Sequence, residues 1–208
     1  MALDRELALH ILRLRAGALL ALLLITGCAT STTPNASALG TQQIVEDAVI
    51  YEGPELVAVL GYLGAHRSFG DEWLILTAEL TSPRGGGPTV IDRSAISIRT
   101  PDGRRLALTS EDEYRRRYAR LQIPIQRALA VLPLLYRYEQ DRMPCGRWFF
   151  TEQTGEIAFD EITVSAFQSC SGPLIFAVPG GVQPGRWRLV IDLEESRADI
   201  PFLIEAKD

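Results

Sequence analysis

The sequence predicts a mainly β domain, an antiparallel β-sandwich of immunoglobulin-like architecture with a helical insertion at about residues 110–140. Two observations favour this fold. Short segments that alternate apolar and polar residues recur from about residue 44 onward, and turns rich in Gly and Pro separate them. The insertion instead repeats its apolar residues at helical spacing. Because the Cys–Trp–Cys spacing of true immunoglobulin domains is absent, the prediction concerns the architecture and not the family.

The strands before the insertion differ in how clearly the pattern marks them. Val45–Tyr51 and Leu56–Leu63 are weaker candidates. Trp73–Leu80 has apolar residues at both alternating sets of positions, and this pattern predicts a central strand with two buried faces. A β-hairpin is predicted around the turn sequence Pro101-Asp102-Gly103. Its flanking apolar residues are Ile96 and Ile98 before the turn and Leu106 and Leu108 after it.

The helical insertion begins at a recognisable N-terminal signal. Ser110 and Glu113 form a capping-box pattern, and acidic residues fill the first turn. Pro124 is expected to end or kink this helix, with a second helix from Ala128 up to Pro133. The apolar stripe comprises Tyr114, Tyr118, Leu121 and Ile125, and the stabilising i,i+4 charge pairs are Glu111–Arg115, Asp112–Arg116 and Glu113–Arg117.

The strands after the insertion include the clearest one in the chain, Arg186–Glu194, which follows the turn Pro184-Gly185. One face holds Trp187, Leu189, Ile191 and Leu193, and the other holds Arg186, Arg188, Asp192 and Glu194. This period of two predicts a sheet with one solvated face. Glu161–Gln168 repeats the pattern, with Ile162, Val164 and Ala166 inward. Weaker candidates are Arg147–Thr151, Leu174–Val178 and Ile200–Ile204.

The N-terminal region has the organisation of an export signal. Arginines at positions 5, 13 and 15 precede an uncharged run over residues 16–25. As a helix this run would cover roughly 15 Å, half of a hydrocarbon core of about 30 Å, so it is too short to span a membrane. The run ends in Ile25-Thr26-Gly27-Cys28. The pattern resembles a bacterial lipoprotein signal peptide with its lipobox, whereas a buried N-terminal helix would not be expected to end this way.

The resemblance implies a processing route and an address. Residues 1–27 would be removed, and Cys28 would carry diacylglycerol on its thiol and an acyl chain such as palmitate on its new amino group. The lipoprotein family uses Asp directly after this Cys as its inner-membrane retention signal. Ala29 stands there in this chain, which implies the outer membrane if the bacterium is a diderm. Several acyl chains on one residue give stable anchoring.

The predicted mature chain contains a tether, residues 28–43, followed by the sandwich domain, residues 44–208. The whole chain has 21 basic and 26 acidic residues. The first 27 residues take three arginines and two acids with them, which leaves 18 basic and 24 acidic residues, a balance of −6. This balance argues against a nucleic-acid partner, which would require a basic face. It also gives no attraction of the whole protein to anionic lipid.

With Cys28 lipidated, two cysteines remain, Cys145 and Cys170. An even pair in an oxidising compartment predicts a disulfide. Closing a loop of about 26 residues would stabilise the fold by roughly 3.5 kcal/mol. Two thiols this far apart lack the second short-spaced pair of a zinc site. No metal and no cofactor is therefore predicted.

Two segments of the insertion could bind a partner. The apolar run containing Ala128, Leu129, Leu132 and Leu135 could dock an envelope protein or lipid, although packing on the sandwich is the simpler expectation. Arg115-Arg116-Arg117 with Arg120 could bind an anionic head group. A solvated helix face, neutralised by the acids before it, is favoured for these arginines.

Catalysis has little support in the sequence. His66, the only histidine after Cys28, could act as a general base, but a surface or capping role is expected because no nucleophile motif accompanies it. Trp73, Trp148 and Trp187 could form a sugar-stacking platform, although Trp187 lies on a core-like face. A pair of catalytic carboxylates on different strands stays open.

These observations predict a non-catalytic binding or assembly module, lipid-anchored at the cell envelope and facing the periplasm or the exterior. Its expected contacts are the membrane, through the anchor, and an envelope protein. One alternative is an envelope hydrolase acting on cell wall or polysaccharide. Another is a surface sugar-binding or adhesion module.

Overall fold

The computed structural model describes residues 40–68, 70–130, 142–151 and 157–205. All of them belong to one compact unit. The strands within them are β1 Gly40–Val45, β2 Ala48–Glu52, β3 Val57–Gly61, β4 Trp73–Thr81, β5 Thr89–Asp92, β6 Ile96–Arg99, β7 Arg105–Ala107, β8 Met143–Pro144, β9 Glu161–Val164, β10 Gln168–Ala177, β11 Gly185–Asp192 and β12 Arg197–Ile204. The helix α1 spans Glu111–Leu129, and short 3-10 turns cover Ala65–Arg67 and Arg93–Ala95.

The strands form sheets that confirm the predicted mainly β, antiparallel fold. A six-stranded sheet has the order β1-β2-β3-β4-β10-β8, a four-stranded sheet the order β12-β11-β6-β7, and β5 pairs with β9. The pairing of β8 with β10 is parallel, and the others are antiparallel. The inward residues of both larger sheets share one core, where Tyr62 after β3 stacks on Phe202 of β12 at 5.4 Å.

The central strand β4 is buried on both faces, as the sequence predicted. It pairs with β3 on one side and β10 on the other. Leu74, Leu76 and Leu80 are fully buried in the shared core. The helix α1 packs on β4 and β10, and its residue Ala128 lies against Gly64. The predicted stripe faces inward, since Tyr114, Leu121 and Ile125 are buried.

The start of α1 follows the predicted capping box, whereas its proline does not end it. The Ser110 side chain accepts a hydrogen bond from the Glu113 amide. The helix continues through Pro124 to Leu129. Buried residues on both sides of Pro124, namely Leu121 and Ile125, pack on the sheet and offset the lost backbone hydrogen bond. The second helix predicted up to Pro133 falls largely outside the described residues.

Three predicted strand segments differ from the structure. A turn at Glu46 and Asp47 divides Val45–Tyr51, so that Val45 ends β1 and β2 begins at Ala48. The turn lies next to a register shift in β1. Arg147–Thr151 is not a strand, although Trp148, Phe149 and Phe150 are buried, because their rings pack into the core from irregular backbone. Ala166 lies in the turn between β9 and β10, where Ser165 pairs with Gln168.

The guanidinium of Arg93 holds this irregular backbone in place. The Arg93 side chain is 11% exposed, and its Nε lies 2.9 Å from Asp160 Oδ1. Its Nη1 donates to the Thr109 carbonyl at 3.0 Å, and its Nη2 donates to the carbonyls of Phe149 and Phe159. The same group lies 4.9 Å from the centroid of the Phe150 ring. One side chain therefore joins the start of α1 to the segments before β9.

The predicted disulfide is present. Cys145 is bonded to Cys170, and their Cα atoms are 4.9 Å apart. The bond fastens the segment after β8 to β10, beside the backbone hydrogen bond from the Cys145 amide to the Ser169 carbonyl.

Replacing Arg93 with methionine should lower the free energy of unfolding by roughly 3 kcal/mol, because buried carbonyls lose a charged donor. Urea denaturation followed by tryptophan fluorescence measures this loss. Arg84→Met in an exposed loop is the matched control and should change little. Equal stabilities of the two variants would contradict the role assigned to Arg93.

Replacing both Cys145 and Cys170 with alanine should lower the free energy of unfolding by about 3 kcal/mol. Reductant should destabilise the original protein by a similar amount and leave the double variant unaffected. Alkylation of either cysteine in the oxidised, folded protein would show that the bond does not form.

Candidate functional site

The outer side of the four-stranded sheet carries a concentration of arginines. Alternation along β11 turns Trp187, Leu189 and Ile191 into the core and leaves Arg186 and Arg188 on the outer side. The strand register then places arginines of neighbouring strands together: Arg188 pairs with Arg99 of β6, and Arg99 pairs with Arg105 of β7. We define the arginine face as Arg99, Arg105, Arg186, Arg188 and Arg197 with the residues between them.

Two aspartates neutralise part of the arginine face. Asp192 lies 2.6 Å from Arg105 Nη2 and 2.5 Å from Arg197 Nε, and Asp199 lies 2.6 Å from Arg188 Nε. Hydrogen bonds from Arg105 and then Arg197 hold the pKa of Asp192 below its usual range. The hydrogen bond to Asp199 raises the pKa of Arg188. Both directions favour the charged forms of Asp192 and Arg188.

The charges leave a positive balance. Five arginines face two aspartates, a difference of +3, on a chain that is acidic as a whole. Arg99 and Arg186 are exposed and take part in no ion pair among the described residues. Within the arginine face, the guanidinium groups of Arg99 and Arg186 are the ones available to an anionic partner.

The arginine face is an ordered surface. Val190 of β11 and Ser97 of β6 face outward between the arginines, yet each is 2% exposed. Arg105 Nε donates to the Ser97 hydroxyl at 2.9 Å. The aliphatic stems of arginines can cover apolar surface while the charged ends stay in water.

Direct cross-strand neighbours of like charge destabilise a sheet. Arg105, Arg99 and Arg188 form a row of such neighbours. The ion pairs of Arg105 with Asp192 and of Arg188 with Asp199 reduce the electrostatic cost of this row, and an anion bound at Arg99 would reduce it further.

His66 is buried, with 8% of its surface exposed, so of the predicted surface or capping role the surface position is wrong and the capping role agrees with its contacts. Its Nε2 lies 2.8 Å from Asp47 Oδ1, and its Nδ1 accepts a hydrogen bond from the Glu205 amide. His66 thus holds the end of β12 against the turn between β1 and β2. Both ring nitrogens have polar neighbours inside the fold, which leaves neither of them facing a cleft as a free base.

Two of the three tryptophans are core residues. Trp187 and Trp148 are 1% and 8% exposed, and their indole N–H groups donate to the carbonyls of Gln183 and Pro173. A Cβ atom at Gly172 would lie 2.3 Å from Trp148 Nε1, so this position requires glycine. Trp73 is partly buried against the same core. The three rings do not share an exposed face, which counts against a sugar-stacking platform.

The apolar run proposed from the sequence as a docking surface lies partly outside the described residues. Ala128 is 3% exposed and belongs to the core, and Leu129 is partly buried against that core. Ala128 is therefore a packing residue and not a docking residue. Leu132 and Leu135 are among the residues that the structure does not describe.

The arginines of α1 are exposed, and one of them is paired along the helix. Arg115 Nε lies 2.6 Å from Glu111 Oε1, the i,i+4 partner expected from the sequence. This hydrogen bond raises the pKa of Arg115. The acidic first turn also lies close to these arginines.

Sequence reasoning missed Glu79, Arg99 and Arg105. Glu79 is 1% exposed in β4, opposite Val59 and Ser171, within the segment Trp73–Leu80 that is predicted to be apolar on both faces. Arg99 and Arg105 flank the predicted hairpin turn, and alternation would have placed them on its polar side. Their position beside Arg188 depends on the pairing of β6 with β11, which the local sequence pattern does not predict.

The chain matches no protein family model, no curated protein and no solved structure. None of the described helices is both long and apolar enough for a transmembrane span. The described residues also contain no group of three or more His, Cys, Asp or Glu side chains that could hold a metal ion.

Replacing Arg99 with glutamine should stabilise the domain by roughly 0.5 kcal/mol, since it removes a charge between two like charges. For a chain of this size the melting temperature should rise by about 1–2 °C. Calorimetry at low ionic strength measures the change, and salt should reduce it by screening. Arg84→Gln, which removes a charge elsewhere, should not stabilise. A lower melting temperature for the Arg99 variant would contradict the electrostatic cost assigned to the row.

Proposed function

We propose that this protein is a lipid-anchored cell-envelope protein whose domain is a non-catalytic module that binds an anionic partner. Cys28 would carry the lipid, and Ala29 favours the outer membrane. The observation that supports binding is the arginine face, where two exposed guanidinium groups, which have no ion-pair partner in the described part of the chain, lie on a sheet surface of positive balance. Guanidinium groups bind carboxylate and phosphate through paired hydrogen bonds.

The location of the surface also favours binding over catalysis. A rigid sheet holds the guanidinium groups of Arg99 and Arg188 on neighbouring strands. Such groups attract and orient an anion, but they have no proton to exchange at neutral pH. The hydrolase alternative centred on His66 would need a ring nitrogen that is not engaged within the fold, and both nitrogens are engaged.

The anchor can be tested by mass spectrometry of the protein purified from membranes. Its N-terminal peptide should begin at Cys28 and carry the mass of a diacylglycerol and an acyl chain. Cys28→Ser is the control, and it should incorporate no fatty-acid label. A chain that retains residues 1–27, or that begins elsewhere without lipid, would overturn the anchor.

Anion binding can be tested separately on a phosphate-bearing chromatography matrix. The double variant Arg99→Gln/Arg186→Gln should elute at lower salt than Arg116→Gln/Arg120→Gln. Both variants lose the same two charges, and the second pair lies exposed on α1. Identical elution would mean that net charge alone controls retention, which would refute a specific anion-binding face.

A further inference from the structure

We infer that the arginine face docks on the anionic head groups of the membrane that holds the anchor, so that the domain lies against the bilayer. This inference rests on the proposed lipid anchor and names the partner of the same surface. The short segment between anchor and domain and the local charge of the face support it.

The anchor keeps the domain close to the bilayer. Eleven residues, 29–39, separate Cys28 from Gly40, the first residue of β1. Fully extended, they reach at most about 40 Å. Tethering at this length converts docking into an intramolecular event, so a weak surface contact is enough to hold an orientation.

The chain enters the fold at β1, the edge strand of the six-stranded sheet, and this region contacts the β12 edge of the four-stranded sheet. Thr41, next to Gly40, pairs with Tyr51 of β2. The Tyr51 hydroxyl reaches across to the Arg197 carbonyl of β12 at 3.4 Å. The start of β1 therefore lies near the Arg197 end of the arginine face, whereas Arg186 lies at the other end of the β11–β12 pair. A tether that reaches up to about 40 Å and is attached there is long enough for the arginine face to meet the membrane.

The local charge decides which surface can face an anionic bilayer. Charges are screened beyond a Debye length of about 8 Å in physiological salt, so the acidic balance of the whole chain matters little at contact. The arginine face has a balance of +3 and spans four neighbouring strands. Exposed Leu203 lies in register with Arg186 and adds an apolar contact. Arginine phosphate contacts and a broad sheet surface suit the head groups of anionic lipids.

The experiment measures how accessible each arginine is in the anchored protein. The full-length product, purified with its lipid, is inserted from detergent into preformed vesicles of phosphatidylcholine alone or with one third phosphatidylglycerol. Phenylglyoxal modifies exposed guanidinium groups, and mass spectrometry gives the rate at each residue. Arg116 and Arg120 on α1 serve as internal references, because they are exposed and lie off the arginine face.

In vesicles that contain phosphatidylglycerol, the modification of Arg99 and Arg186 should slow by roughly fivefold, and high salt should abolish the protection. Arg116 and Arg120 should react equally in both vesicles. Equal rates at Arg99 and Arg186 in the two vesicle types would overturn docking. Equal protection of the α1 arginines would also overturn it, because the attraction would then lack an orientation.

The outcomes separate this inference from the proposed function. If the protein carries no lipid, the anchor fails and the docking inference fails with it. If the lipid is present and Arg99 and Arg186 are protected in native membranes but not in phosphatidylglycerol vesicles, the partner is an envelope macromolecule. That result would refute docking on lipid and leave the proposed anion-binding module in place.

Discussion

The buried guanidinium of Arg93 is the interaction on which the arrangement of this domain depends. It donates to carbonyls of the loop before α1 and of the irregular segments around Phe149 and Phe159. These backbone groups have no strand partner to satisfy them, and burying them without a donor would be costly. Because β6 begins directly after the turn Arg93–Ala95, the same side chain also fixes where the hairpin that carries Arg99 leaves the core.

The two sides of the four-stranded sheet serve opposite purposes. The inner side is apolar and completes the core through Trp187 and Leu189, which are almost fully buried. The outer side places like charges next to each other at Arg99 and Arg188. A row of like charges lowers the free energy of unfolding, and burial of the apolar inner side offsets this loss. Surfaces that reduce stability in this way are typical of binding sites.

Local patterns predicted the elements well, because they depend on neighbours in the sequence. Ser110 as a helix cap and the alternation around Trp187 were readable from a few residues. The burial of His66 and Glu79 was not readable, since each depends on strands that are distant in the sequence. Two of the five arginines of the face lie in β11 and follow from its alternation, but Arg99 joins them only through the pairing of β6 with β11.

The arginine face gathers its charge from segments far apart in the chain, with Arg99 and Arg186 separated by almost ninety positions. What a binding partner meets is the sum of these charges and not any one of them. Individual positions can therefore drift during evolution, provided that another outward position of the sheet gains the lost charge. Related proteins would then share no short motif. What such proteins would share is the summed charge of the outward-facing positions of this sheet.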